Sequence, residues 1–377
     1  MSRKIRAWAT NLLLMTTAIL VTLAAFEVAL RYSLPQKLYR FPRGLFSNRT
    51  DRVYGLSPGF RGVIRNPEYQ THIRINSLGF RGGDVGLKGP QVFRIVVLGD
   101  SFVSAFNVEE EQAFASLLGD DLNTPPGGAW RVDVVNAGTP GYGTWHELRT
   151  LESLIPLLRP DLALLCVYVG NDLQDNLAPG AAVVQGGLLV SRKKSEGILP
   201  YPLRSWLQRH SMSYVFFWNV WDRIRPLFGL RAVDPLEHLK AIVSRKPDAG
   251  VEEAFRISED LVGQVARRAR ESRLPLLLVL IPAEQQVYPE SFVRELQAQG
   301  LGPSDFDVDL PSRKWREMAE KLRLPVLDLL PVFRSRVRGP HLYMSLDGHL
   351  SVPGNRLAGE AIRDAVRSFL APHGDVP

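Results

Sequence analysis

Four places in the 377-residue chain hold residue types that can do chemistry together. They read Gly99-Asp100-Ser101-Phe102, Asn136-Ala137-Gly138-Thr139-Pro140-Gly141-Tyr142-Gly143, Gly170-Asn171-Asp172 and Ser345-Leu346-Asp347-Gly348-His349. A serine on a glycine-flanked turn between a strand and a helix can expose its hydroxyl while its own backbone N–H stays free to meet an oxyanion. Ser101 fits that description. Gly138 can bring a second backbone amide to the same point, and Asn171 can add a side-chain N–H. A general base is still needed, and an aspartate near a histidine can orient the imidazole and stabilise its charged form. Asp347 and His349 supply that pair. The chemistry such a set performs is nucleophilic attack by the serine with an oxyanion held by the N–H groups.

Each block has a plainer reading when taken alone. A Gly-Asp-Ser turn is more often a helix cap. Gly138 to Gly143 follow a G-x-x-G-x-G spacing and not the G-x-G-x-x-G of a dinucleotide loop, and no acidic ribose partner follows. Asn171-Asp172 reads equally as a loop cap, and His349 is one of seven histidines. Of the others, only His341 precedes Asp347 closely enough to compete. No His-x-x-x-His pair or carboxylate cluster argues for a metal, and no cofactor is expected. The single cysteine, Cys166, lies in an apolar run and reads as a buried structural thiol; it excludes an internal disulfide.

The elements that must position these residues follow from the apolar patterning. Phe93 to Leu98, Val132 to Asn136, Asp161 to Val169, Leu274 to Ile281 and Val326 to Leu329 are short apolar runs, the third of them unbroken enough to be buried on both faces. Between them, 3.6-residue periodicity predicts helices from about Gln112 to Leu122, Thr144 to Leu157, Val251 to Ser272 and Asn355 to Leu370. Five strands alternating with helices mean an α/β fold with a parallel sheet covered on both faces. In such a sheet ligands bind beyond the carboxyl ends of the strands, where the first three blocks fall.

Composition bounds the rest. Hydrophobic residues are 45% and charged residues 23%, which excludes wholesale disorder and a multi-span membrane protein. The formal charge of +7 carries +3 in the first 36 residues, from Arg3, Lys4, Arg6 and Arg31 against Glu27. With the remainder spread over the whole of the rest, no nucleic-acid partner is expected. Ala7 to Phe26 is uncharged for about 20 residues, enough to cross a hydrocarbon core. Arg3, Lys4 and Arg6 precede it, and no clean A-x-A site follows, which favours an uncleaved anchor over a signal peptide. The short head and the long domain after the span favour a catalytic domain on the outer side of the cytoplasmic membrane.

Taken in order, the blocks centred on Ser101, Gly138, Asn171 and His349 resemble those of the SGNH, or GDSL-like, hydrolase superfamily. The match spans roughly residues 91 to 370. It implies a flavodoxin-like three-layer α/β/α sandwich and a serine esterase acting on O-acyl groups, often of carbohydrates, without metal or cofactor. Many members space acid and base as Asp-x-x-His, whereas Asp347-Gly348-His349 is one residue shorter. Membrane-anchored bacterial members tied to exopolysaccharide acylation resemble this chain in that spacing and in the lead-in Asn76-Ser77-Leu78-Gly79-Phe80-Arg81. The expected substrate is an acylated, specifically O-acetylated, cell-envelope or exported polysaccharide. An O-acyltransferase would use the same covalent intermediate, and a non-catalytic membrane-tethered polysaccharide-binding module is the reading from a different class.

Three regions are expected: an anchor at 1–34, an irregular lead-in with one or two strands at 35–90, and a catalytic domain at 91–377. The last carries an insertion at about 176–250, with a hairpin turning on Gly186-Gly187. Its Trp206, Trp218 and Trp221, with Tyr201 and Tyr214, offer flat faces for sugar rings, and Arg204, Arg209, Arg223 and Arg225 can meet anions. The sequence therefore assigns substrate selection to it, against the alternative of a helical cap whose aromatics form its own small core.

Overall fold

The computed structural model describes residues 3–36, 38, 41–123, 130–192, 199–228 and 237–370. The chain opens with helix α1 (Arg3–Ser33). Four short strands follow, β1 (Phe46–Arg49), β2 (Val53–Leu56), β3 (Arg61–Asn66) and β4 (Tyr69–Arg74), paired β1 with β2 and β3 with β4. Then come β5 (Val92–Leu98), α2 (Ser101–Ser104), α3 (Phe114–Leu122), β6 (Arg131–Asn136), α4 (Thr144–Leu158), β7 (Leu162–Tyr168) and α5 (Asp172–Leu177). A hairpin of β8 (Ala182–Gln185) and β9 (Leu188–Ser191) precedes α6 (Tyr201–His210) and α7 (Met212–Ile224). The strand–helix alternation resumes with α8 (Glu237–Val243), α9 (Ala249–Glu271), β10 (Leu276–Ile281), α10 (Glu284–Val287), α11 (Pro289–Ala298) and α12 (Leu310–Lys321). It closes with β11 (Val326–Asp328), α13 (Leu330–Arg334) and α14 (Val352–Leu370).

Contacts divide the chain into two compact units, described separately here. The larger holds a five-stranded parallel sheet in the order β6-β5-β7-β10-β11. Counting these strands along the chain gives 2-1-3-4-5, the doubly wound order of flavodoxin-like folds. Strict alternation explains why both faces are covered. On β5, Val96 and Leu98 face α4, α9 and α12, whereas Phe93, Ile95 and Val97 face α3 and α14. On β7, Ala163, Leu165 and Val167 take the first side and Leu162, Leu164 and Cys166 the second. Cys166 is buried, as its apolar run implied. Each fully buried Leu or Val side chain contributes roughly 1.5–3 kcal/mol by leaving water, so these central strands anchor the unit.

The hairpin turns where the sequence placed it, on Gly186 (φ 58°) and Gly187 (φ 76°), the two left-handed residues a two-residue primed turn requires. Between β10 and β11 the chain also forms α10 to α12, for which the sequence reading named no element; prolines at the first turns of α11 and α12 open these helices. The lead-in has four strands where one or two were expected, and from residue 41 it belongs to the larger unit except for residues 65–69.

The smaller unit is made of the described residues within 1–40, 65–69 and 195–234. The expected 176–250 insertion is therefore not one piece. Hairpin β8–β9 and helix α8 belong with the sheet, and α6 and α7 belong with α1. In α1, Ile5–Ser33 is long and apolar enough to cross a membrane.

Candidate functional site

The strand ends determine where the reactive groups gather. β5 ends in Gly99-Asp100, and α2 begins at Ser101 with Asp100 as its N-cap, the Asp100 carboxylate accepting the Phe102 N–H at 2.8 Å. Asp100 thus serves the turn. A Cβ on Gly99 would lie 2.3 Å from the Val103 side chain, and one on Gly138 would lie 2.4 Å from the Ser104 backbone nitrogen. Glycine at both places lets the first turn of α2 nest against the ends of β5 and β6. Asn136, the last residue of β6, ties them together. It donates to the Val103 carbonyl at 2.8 Å and accepts the Gly138 N–H at 3.1 Å.

The lead-in braces the same turn from the opposite end. Asn76 accepts the N–H groups of Leu78 and Phe80, both at 3.0 Å, and Gly79 takes φ 85°, a tight turn that launches Arg81 into the interior. Arg81 is buried, and its guanidinium donates to the carbonyls of Ser104 (2.9 Å), Ala105 and Val108 (2.7 Å). Burial pulls its pKa down to about 10, against the upward pull of Glu110, Glu109 and Glu111. The Asn-Ser-Leu-Gly-Phe-Arg stretch therefore has a mechanical role, as Arg81 caps the carbonyl end of the helix that carries Ser101. Arg81→Ala is expected to take the donor from the buried Ser104 and Val108 carbonyls and leave Ala105 with only the Val108 N–H, lowering the melting temperature and cutting turnover at least about tenfold. Arg81→Lys restores charge but not the fork, and should recover only part of either. Melting curves and ester turnover measured on the same preparations check this.

Asp347 and His349 arrive from the C-terminal end of the chain. The Met344 N–H donates to the His349 carbonyl at 2.8 Å and the Gly348 N–H to the Met344 carbonyl at 2.9 Å, closing a tight loop. Gly348 has φ 80°, so the shortened Asp-Gly-His spacing is achieved by a left-handed residue that folds the imidazole back over the preceding carboxylate. His349 Nδ1 lies 2.6 Å from Asp347 Oδ1, and His349 Nε2 lies 2.8 Å from Ser101 Oγ. The Asp347 side chain is fully buried, while His349 and Ser101 are partly open. His349 also lies against Phe102, which stacks on Tyr168 at 3.8 Å. Ser101, His349 and Asp347 thus form one hydrogen-bonded chain, whose Ser101–His349 link joins residues 248 apart in sequence. His341 is engaged elsewhere. Its Nδ1 lies 2.9 Å from the Tyr343 carbonyl and its ring stacks on Tyr288. His373 lies outside the described residues.

The oxyanion donors read from sequence converge on this region but none is idle. The Gly138 N–H is held by Asn136, and the Ser101 N–H meets the Asp100 carboxylate. Asn171 donates to Asp175 Oδ2 at 3.0 Å and also to Asp100. An anion forming on a substrate would have to draw these N–H groups away from their present acceptors.

Two of those acceptors, Asp100 and Asp175, belong to a feature that sequence reading missed. Asp100 after β5, Glu147 on α4, and Asp172 and Asp175 on α5 are mutually close enough to repel one another. Burial first, and the neighbouring carboxylates second, push the acids of Glu147 and Asp172 well above the usual range and Asp175 up to about 8. Asp100 is raised as well, by burial, against its hydrogen bonds and His349. Neither Glu147 oxygen has a hydrogen-bond partner among the described residues, which fits a buried neutral carboxyl. No sequence signal marks this cluster, because the four residues meet only in space.

The cluster makes stability depend on pH. A carboxyl whose folded pKa lies above its unfolded value of about 4 binds more protons folded than unfolded, so its contribution is full below pH 4 and is lost as pH rises through the folded value. For Asp175 that window runs from about pH 4 to about pH 8. Asp175→Asn keeps an acceptor for Asn171 and removes the titration. The fall in melting temperature between these limits is expected to be shallower in the variant, and an identical slope would show that Asp175 titrates normally.

No family model and no curated protein matches this chain. The solved structures it is similar to include TesA, at 13% identity and TM-score 0.40, covering 74% of this chain and 99% of that one. Another is the lipase/acylhydrolase from Enterococcus faecalis, at 14% identity and TM-score 0.39, covering 73% and 96%. A third is a catalytic mutant of an acetylxylan esterase from Geobacillus stearothermophilus, at 11% identity and TM-score 0.38, covering 76% and 95%.

Proposed function

We propose that this chain is a serine ester hydrolase, held to a membrane by α1, that removes O-acyl groups from a cell-envelope or exported polysaccharide. The observation that carries the chemistry is the Ser101–His349–Asp347 chain, with contacts of 2.8 and 2.6 Å. In this reading His349 Nε2 accepts the Ser101 proton as Oγ bonds to the acyl carbon. The Nδ1–H stays on Asp347, which stabilises the imidazolium that forms. As the tetrahedral intermediate collapses, the ester C–O bond breaks and His349 returns the proton to the departing sugar hydroxyl. Water then enters by the same proton route, releasing the carboxylic acid and free Ser101. Negative charge on the carbonyl oxygen is met by the N–H groups of Ser101, Gly138 and Asn171, at the expense of their resting acceptors.

The polysaccharide substrate rests on the resemblance of the four blocks and the lead-in to carbohydrate-directed esterases, and the membrane tether on the uncharged helix at Ile5–Ser33. The test is a fluorophosphonate probe applied to the full chain. A covalent adduct on Ser101 that disappears in Ser101→Ala is the expected result. No adduct on a folded chain would overturn the hydrolase reading in favour of a binding module. Acetate release from acetylated xylan or mannan, compared with release from a small acetyl ester, then reads the substrate class.

A further inference from the structure

Every strongly exposed large aromatic side chain among the described residues lies in the smaller unit: Trp8 and Tyr32 on α1, Trp206 on α6, Phe217, Trp218 and Trp221 on α7, and Phe228 just after it. In the larger unit only scattered aliphatic side chains are exposed to this degree, such as Leu87 and Leu157. Scattered apolar side chains are ordinary on a protein surface, but a contiguous aromatic face is not.

The face is built by helical spacing. On α7, residues 217, 218, 221 and 224 lie along one side, with exposures of 52%, 43%, 41% and 38%, while Met212 on the other side is buried. On α6, Leu203 and Trp206 are one turn apart and both exposed. The small separate core proposed for this segment's aromatics therefore accounts for few of them. The side chains of Tyr201 and Arg223 lie outside those described.

What holds α6 and α7 is the end of α1. The Glu27 carboxylate accepts the N–H groups of Met212 (2.9 Å) and Ser213 (2.8 Å) and the Ser211 hydroxyl (3.1 Å), filling the N-terminus of α7. Arg31 pairs with Glu27 at 2.7 Å and donates to the His210 carbonyl at 2.9 Å, at the C-terminus of α6. An acid placed at one helix start and a base at the neighbouring helix end complement both dipoles. Phe26 packs on Phe216 and Phe217, and Asn219 donates to Gln36. All these contacts fall at residues 26–36, where the uncharged stretch of α1 stops and a bilayer meets water.

We infer that the exposed aromatic face of α6 and α7 beds into the lipid bilayer at its headgroup boundary, beside α1. This rests on the reading of α1 as a membrane anchor. The occupant is lipid because the face is continuous, in one compact unit, with the helix that a bilayer must cover. Tryptophan is enriched at this depth in membrane proteins, and Arg204 and Arg209 on α6 suit anionic headgroups. The helices sequence analysis assigned to substrate selection are thus a monotopic foot.

The test uses the full chain in phosphatidylcholine–phosphatidylglycerol vesicles, with Cys166 replaced by Ala and one cysteine introduced for an environment-sensitive fluorophore. The variants are Ile19→Cys in the span, Leu203→Cys and Trp221→Cys on the proposed face, and Glu253→Cys at an exposed position of α9. Nitroxide-labelled lipids are expected to quench the probe at 19, 203 and 221 at least about twofold more than at 253. Quenching at 19 but not at 203 and 221 overturns the inference and leaves the anchor standing. Quenching at none of the three overturns the anchor itself. Probes at 203 and 221 that escape lipid quenching yet become shielded from iodide only as protein concentration rises would assign the face to a second copy, which also overturns the inference. Shielding only on adding acetylated polysaccharide would return it to substrate binding.

Discussion

Ser101→Ala and His349→Ala are each expected to lose about four or more orders of magnitude in turnover of a small acetyl ester, with melting temperatures close to the parent. The size follows from the geometry. The Ser101 hydroxyl is a poor nucleophile until its proton has somewhere to go, and His349 Nε2, at 2.8 Å, is the only imidazole nitrogen in contact with it among the described residues. Removing either group ends proton transfer, so the double variant should be no worse than the singles, as expected for residues that act as one unit. Stability is largely spared because Ser101 and His349 are partly open; the cost falls on His349→Ala, which takes the imidazole away from the fully buried Asp347 carboxylate. Initial rates and melting curves on all three variants decide it. Turnover within tenfold of the parent in either single variant would refute the mechanism.

Asp347→Asn is the second large effect, expected at roughly two to four orders of magnitude in turnover with little change in fold. Asp347 is fully buried and its carboxylate lies 2.6 Å from His349 Nδ1. An amide of the same shape can offer Oδ1 as a neutral acceptor, which holds the ring but gives no charge to match the imidazolium. Alternatively it can turn its NH₂ toward Nδ1, which forces the proton onto Nε2, the atom that must accept from Ser101. Either arrangement raises the barrier, and the second abolishes base function outright. Asp347→Ala should be at least as damaging, because the ring then loses the carboxylate that orients it and matches its charge. A variant of Asp347→Asn retaining more than about half of parental turnover would mean that another acid serves His349. Asp100 is the candidate to examine then, since its carboxylate is near enough to His349 to feel its charge.

The shortened acid–base spacing shows how local chemistry carries such a prediction. Asp-x-x-His and Asp-x-His do not place their side chains alike on a regular backbone. Here Gly348, at φ 80°, makes the difference by a turn that other residues enter at a cost. Nothing crowds the site of a Cβ at Gly348, so its requirement is one of backbone angle and not of space.

What the sequence by itself determined is everything that depends on near neighbours along the chain. The unbroken apolar runs Ile95 to Leu98 and Leu162 to Val167 specify strands buried on both faces, and the blocks at their ends specify which residues can reach the carboxyl edge of the sheet. The Gly186-Gly187 turn and the uncharged span of α1 were legible for the same reason. Tertiary structure alone decided matters that turn on residues distant in sequence. The carboxyl cluster of Asp100, Glu147, Asp172 and Asp175 arises only when β5, α4 and α5 converge, and its protonation follows from burial that no spacing announces. Arg81 capping α2, and Glu27 with Arg31 clasping α6 and α7 more than 170 residues away, are likewise pairings across space. The same apolar period fits a helix that covers its own core, one that binds sugar and one that lies on lipid. Periodicity states which side of a helix is apolar, and only its neighbours state what that side meets.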